Sequence, residues 1–281
     1  MAAVIGSLAP LIQVVIPALN EAGRLPLLLA DLAAARPALG RPLVVDGGSG
    51  DGTPALARLA GARVIQSAPG RGLQLARGAT LALAELELAS QAQAEWGGGT
   101  EAGAGWLLFL HADGRLGPFG LQALQQALLR PPAPWCFRLR VEGEGLGLRA
   151  VEVAVAVRTR LLHRPYGDQG LLIPAGLYRQ VGGYRPLALM EDLDLVERLK
   201  GPSPVRCLKA ELQVDGERWR RLGVLRTTWA NWGLRRAWRA GASPERLAGA
   251  YYPPKAQEPA PGHQGEYQKA QRRWFGSSSQ P

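Results

Sequence analysis

VVDGGSGDGTPALA, residues 44–57, decides the fold. An apolar β-branched run ends in Asp46, a glycine-rich turn follows, and Pro54 then opens a short helix that Gly61 closes. Strand, tight turn and helix in immediate succession are the repeating unit of α/β proteins. The same unit stands on both sides of it. Leu11–Ile16 is an apolar strand closed by Pro17, and Arg24–Leu39 carries Leu25, Leu28, Leu29 and Leu32 on one helical stripe. Arg63–Ser67 is a third strand and Leu73–Ser90 a long helix rich in Ala and Leu. This alternation predicts an α/β protein with a mainly parallel sheet and helices on both faces.

The pattern continues, less regularly, toward the C-terminus. Glu95–Gly105 reads as a glycine-rich loop, Trp106–Leu110 as a strand and Phe119–Leu129 as a helix. Trp135–Arg140 and Val205–Val214 read as further strands, with helices over 146–162, 175–181, 191–200 and Arg221–Ala240. Beyond Pro253 the composition turns to Pro, Gln, Gly and Ser, which predicts a disordered tail over 253–281. The remainder, 11–250, is expected to form one domain, with 11–115 as its ligand-binding half and 116–250 as its second half.

Composition bounds the function. The chain has 281 residues, 47% of them hydrophobic, so it can bury a proper core. The net charge is +10, almost all from Arg, and residues 215–281 hold 12 basic and 5 acidic side chains, a net of +7. That excess suits a phosphate-bearing ligand, an anionic membrane surface or nucleic acid. The two cysteines, Cys136 and Cys207, suggest neither a disulfide framework nor a CxxC metal site. No run of ~18 apolar residues free of charge is present, and the first residues lack a basic leader pattern. A cytoplasmic protein is expected, peripheral at most to the inner face of the membrane.

Ligands of open parallel sheets bind beyond the carboxyl ends of the strands, so the polar residues found there are the candidates. Asp46 ends a strand where its carboxylate can accept from a base or ribose, and Gly48 lets backbone approach a ligand. The turn Asp46, Gly48, Gly50, Gly52 also fits the glycine turn of S-adenosylmethionine methyltransferases. Arg71 and Gln74 open a helix whose N-terminus suits an anionic diphosphate. His111 and Asp113 follow the strand at 106–110 and reach one small volume, where Asp113 can give a hard cation one oxygen ligand. Glu191, Asp192 and Asp194 cluster at a helix start, and one of them can take a proton from an attacking hydroxyl. Trp229, Trp232 and the surrounding Arg allow stacking on nucleic acid, docking on anionic lipid, or plain packing.

Taken in order, QVVIPALNEAGRL (13–25), VVDGGSGDGT (44–53), Arg71 with Gln74, FLHAD (109–113), GDQG (167–170), MEDLDL (190–195) and RWRRLGVLRTTWANW (218–232) resemble the inverting glycosyltransferases of family 2. The HAD and GDQG forms are similar to a bacterial subgroup called rSAM/selenodomain-associated transferases. The resemblance implies the GT-A (Rossmann-like) α/β fold: a mixed, mainly parallel sheet flanked by helices, with a helical C-terminal part. It implies a nucleotide-sugar donor, a hydroxyl acceptor with a lipid-like one among the options, Mg²⁺ or Mn²⁺, no organic cofactor and no nucleic acid. On it, Pro17, Ala18 and Glu21 line the nucleotide pocket and Asp46 meets the base or ribose. Arg71 borders the diphosphate, and Asp113 matches the second acid of the Asp-x-Asp metal motif. Asp192 is the general base, with Glu191 beside it. Asp168 and Gln169 lie near acceptor or sugar, and Arg218 and Arg220 lie over the phosphates. His111 replaces the first acid of the metal motif, so a metal role for it is the departure from the family pattern.

Overall fold

The computed structural model describes residues 12–34, 39–95 and 105–251. The expected tail, 253–281, and most of the 95–105 loop lie outside them. Four units build the first half. They are β1 (Ile12–Ala18) with α1 (Leu25–Ala33), β2 (Leu43–Asp46) with α2 (Thr53–Leu59), β3 (Arg63–Gln66) with α3 (Arg71–Glu95), and β4 (Trp106–Phe109) with α4 (Pro118–Leu128). The second half adds β5 (Trp135–Val141), α5 (Leu146–Leu162), a 3-10 turn at Gly167–Gln169, β6 (Leu171–Pro174) and α6 (Ala175–Gln180). It closes with α7 (Glu191–Leu199), β7 (Arg206–Val214), α8 (Glu217–Leu222), α9 (Val224–Arg239) and α10 (Pro244–Tyr251).

One seven-stranded sheet takes strands from both halves in the order β3-β2-β1-β4-β6-β5-β7. β6 alone runs antiparallel to its neighbours; β3, β2, β1 and β4 pair in parallel, as do β5 and β7. This is the mixed, mainly parallel sheet the sequence predicts. Strand alternation divides the core in two. Val14, Ile16, Val44 and Leu108 pack with α1 and α4 on one face; Val15, Val45, Leu107 and Phe109 pack with α3 and the α6–α7 region on the other.

Several elements differ from the sequence reading. β1 runs through Pro17, because pairing with β4 stops at Val15 and the proline sits where a ladder has ended. The helix expected over 221–240 is two, broken at Gly223, whose φ of 81° lies in the left-handed region. β6, which passes directly into α6, was not read from the sequence, yet it is the strand that joins the two halves of the sheet.

α3 lies directly on β1 and β2 because Gly78 leaves room for it. A Cβ at that position would stand 2.5 Å from Val15 Cγ1 and 2.8 Å from Val45 Cγ2. Gly78→Ala is therefore expected to overpack the sheet and cost about 1–3 kcal/mol, read as a lower urea midpoint at unchanged slope. An unchanged midpoint would show that the helix can shift at no cost.

Candidate active site

The carboxyl ends of β1, β2, β4, β5 and β7 share one edge of the sheet, and the antiparallel β6 brings its N-terminal end there. That edge collects Glu21, Asp46, His111, Asp113, Glu142, Asp168 and Asp215 from loops far apart in sequence.

The first two loops are latched together. Asn20, at φ 56°, donates its N–H to Ser49 Oγ (2.8 Å), and Gly50 N–H donates back to Asn20 Oδ1 (2.9 Å). Glu21 N–H donates to Thr53 Oγ1 (2.8 Å) and Ala22 N–H to Asp51 Oδ2 (3.0 Å). Asp46 is fully buried and accepts from Gly48 N–H (3.1 Å) and from the Ser49 hydroxyl (2.5 Å). Its carboxylate thus shapes the turn. Gln74 donates through Nε2 to the carbonyls of Ala18 (2.9 Å) and Val45 (2.7 Å), tying β1 to β2. Asp46 and Gln74 both stand at the expected edge, with side chains committed to holding it.

A second group lies where β4, the 3-10 turn and α7 converge. His111, Tyr166, Gly167, Glu191, Asp192 and Phe109 line a cavity here. Arg71 at the start of α3 is ion-paired through Nε with the buried Glu191. Gly72 allows this approach, since a Cβ there would stand 2.4 Å from the Leu187 carbonyl oxygen. Gly167 is wedged between His111 and Asp192: a Cβ on it would lie 2.7 Å from His111 Nε2 and 3.3 Å from Asp192 Oδ2. The Asp192 carboxylate accepts from Gly167 N–H and from Leu193 N–H, each at 2.7 Å. Burial, then the Arg71 charge, pushes the His111 imidazole down to about 3 against the pull of Asp192. It is neutral at physiological pH. Gln169 is buried and framework-bound, donating to the Phe137 carbonyl (3.0 Å) and accepting from Arg158 (3.1 Å).

A third group is acidic. Burial, then the carboxylates of Asp113, Asp215 and Asp51, push Glu21 up to about 7. Burial and Asp215 also raise Asp113. Arg24 sits among them, bonded to Glu142 (2.6 Å) and Asp215 (3.1 Å). Arg220 reaches Asp215 at 3.3 Å, and the side chain of Arg218 is outside the described residues. Sequence reading missed Arg24, Glu142 and Asp215. The signal was there: Glu142 and Asp215 each follow a strand end, the position already read for β1, β2 and β4.

The HAD triplet is split by its neighbours. Arg71 acts on both groups, while His111 also feels Asp192 and Asp113 also feels Asp215, Arg24 and Glu21. Among the described residues no three His, Cys, Asp or Glu side chains stand together closely enough to hold a metal ion unaided.

The mixed, mainly parallel seven-stranded sheet flanked by helices matches the GT-A fold. Residues 13–171, more than half of the chain, match the model of glycosyl transferase family 2, and the chain belongs to that family. Comparison with curated proteins returns no match. Among solved structures, glucosyl-3-phosphoglycerate synthase from Mycobacterium tuberculosis, in complex with Mn²⁺, uridine diphosphate and glucosyl-3-phosphoglycerate, is 20% identical, with a TM-score of 0.50 over 73% of this chain and 71% of that one. Its complex with Mn²⁺, UDP-glucose and phosphoglyceric acid gives 19% identity, a TM-score of 0.50 and the same coverage. A further mycobacterial protein gives 20% and 0.49, and there the match spans 73% of this chain and 65% of that one. At these identities the likeness is one of fold.

Asp168 offers a direct test of the site's electrostatics. Burial, opposed by Arg158 and reinforced by Asp192, pushes its carboxyl from 3.8 to about 6, and one of its oxygens is buried without a hydrogen-bond partner. The folded state therefore holds this proton more tightly than the unfolded state. Its stabilising contribution is complete below the unfolded value and is lost as pH rises through about 6. Asp168→Asn should flatten the fall in melting temperature between about pH 4 and pH 7 and raise it by a few degrees at the upper end. Parallel wild-type and variant profiles would refute this.

Proposed function

We propose that this family 2 protein is an inverting glycosyltransferase that moves a sugar from a nucleoside-diphosphate sugar to a hydroxyl acceptor, with Asp192 as general base. The observation that carries this reading is the Asp192 carboxylate itself. It faces the cavity, fixed by two main-chain donors, beside a neutral His111. Each carboxylate oxygen has two acceptor positions, so one bond to each leaves room for a hydroxyl proton. The attacking oxygen then displaces the nucleoside diphosphate in line, through an oxocarbenium-like transition state. The HAD and GDQG segments support placing the chain in the rSAM/selenodomain-associated subgroup. Residues 11–250 are proposed to act as one catalytic domain.

Mg²⁺ or Mn²⁺ is the proposed cofactor. The acidic group suits it: burial, and then the neighbouring carboxylates, raise Glu21 and Asp113, and a dication would relieve the repulsive part. Asp113 and Asp215 would hold the ion, with the remaining positions left to phosphate and water. When bound, it neutralises charge on the leaving diphosphate. Arg71 and the helix N-terminus it opens lie on the same edge and favour negative charge there. Glu191 holds Arg71, and Glu21 with Ala18 forms the floor for the nucleotide. Arg218 and Arg220 are proposed to reach the phosphates, and Gly48 to let the base approach. The methyltransferase reading finds no such support, since the Asp46 carboxylate is engaged within its own turn.

Asp192→Asn is expected to keep donor binding and to lose turnover by roughly 10²–10⁴. The donor is found first, by thermal shift with a panel of nucleotide sugars and Mn²⁺; the right one stabilises by about 2.7 kcal/mol at a hundredfold excess over Kd. Unchanged turnover in the variant would remove Asp192 from the mechanism, and no stabilisation by any nucleotide sugar would remove the reading altogether.

A further inference from the structure

α5 and α9 lie side by side and run in the same direction. Gly147 near the start of α5 faces Val224 at the start of α9, where a Cβ would stand 3.3 Å from Val224 Cγ2. The same distance further along each helix, Arg158 and Arg235 both lie over the Tyr166 ring, at 3.6 and 4.9 Å from its centroid. α5 turns Leu148, Val155 and Thr159 toward the sheet side. At 100° per residue its opposite side carries Val153, Val157 and Leu161, which are 62%, 50% and 73% exposed. α9 turns Leu234 and Trp238 toward α10 and leaves Trp229 and Trp232 outward, 68% and 47% exposed. In two parallel helices these phases put the indoles on the same side as the α5 stripe. The result is one apolar face across both helices, on the side away from the sheet.

The charges around that face have one sign. α9 contains four Arg and no acidic residue. The single acid of α5, Glu152, points back to Arg140 and Arg149. Arg160, Arg236 and Arg239 are exposed at the rim, with the Arg236 guanidinium 5.5 Å from the Trp232 ring centroid.

We propose that this two-helix face docks the protein on an anionic lipid surface. Tryptophans sit at the headgroup level, aliphatic side chains enter below them, and the Arg rim meets the lipid phosphates. A second copy of the chain fits the face poorly, because it would set the same Arg groups against one another. Nucleic acid would leave the Val153–Val157–Leu161 stripe in water. The C-terminal end of α5 leads through residues 163–164 into Pro165–Gly167, which line the cavity, so a docked molecule has its candidate site next to the membrane.

The test is sedimentation of the full chain with large unilamellar vesicles, with neither donor nor acceptor present, so its outcome is independent of the reaction proposed above. The protein should pellet with phosphatidylcholine vesicles that contain phosphatidylglycerol and not with phosphatidylcholine alone, and pelleting should fall at about 0.5 M salt. Val153→Glu with Val157→Glu, and separately Trp229→Ala with Trp232→Ala, should each weaken partitioning by roughly tenfold or more. These positions are exposed, and circular dichroism is the control for folding of the variants. Wild-type protein that stays in the supernatant, pellets equally on neutral vesicles, or pellets no better than the variants overturns the proposal. So does a dimer in sedimentation velocity that the same substitutions abolish without lipid binding.

Discussion

The pair of Arg71 and the buried Glu191 is the interaction on which the site depends. Arg71 opens α3, which belongs to the first half of the sheet; Glu191 opens α7, which follows the antiparallel strand of the second. A buried carboxylate without its partner is strongly unfavourable, so the two helix starts are held together. Gly72 makes the approach possible by leaving room for the main chain at 185–187. The next residue after Glu191 is Asp192, and its position follows from that anchor. Gly167 completes the arrangement from the other side, with one N–H on Asp192 and no side chain to push His111 away.

The same edge holds an opposite kind of constraint. Around Arg71 charges are matched; around Glu21, Asp113 and Asp215 they are in excess, and Arg24 is already shared between Glu142 and Asp215. Fixed repulsion of this sort costs folding free energy, and folds keep it where a ligand compensates. One end of the edge is thus complete as it stands, while the other is built short of positive charge.

The first four strands were legible because their apolar runs are bounded by Pro, Gly and Asp, which mark where a strand must stop. The edge residues of those strands were legible for the same reason. The join between the halves was not: β6 passes directly into α6 with no intervening turn. Gly223 stands within an otherwise helical pattern, and only its φ reveals that it ends one helix and begins another. Asp46 is read from the sequence as a strand-end residue, and Gln74 and Gln169 as lying near the ligand, yet no local pattern reveals whether a polar side chain faces a ligand or a main-chain carbonyl. That depends on partners such as Val45 and Phe137, which only the fold brings into reach.

His111 and Asp113 show how far two neighbours in sequence can part in function. Gly114 N–H returns to the His111 carbonyl (3.0 Å), closing a tight turn after β4. Within that turn both groups feel Arg71, and their other charged neighbours differ. The imidazole is held neutral by burial and lies against Gly167 with Asp192 near; the carboxylate is raised by burial and then by Asp215. An acid in place of His111 would carry its charge into the wall around Asp192 and Asp168, where burial and Asp192 already raise the Asp168 carboxyl to about 6. A neutral ring avoids that added repulsion. A neutral ring at position 111 thus suits the carboxylates crowded beside it.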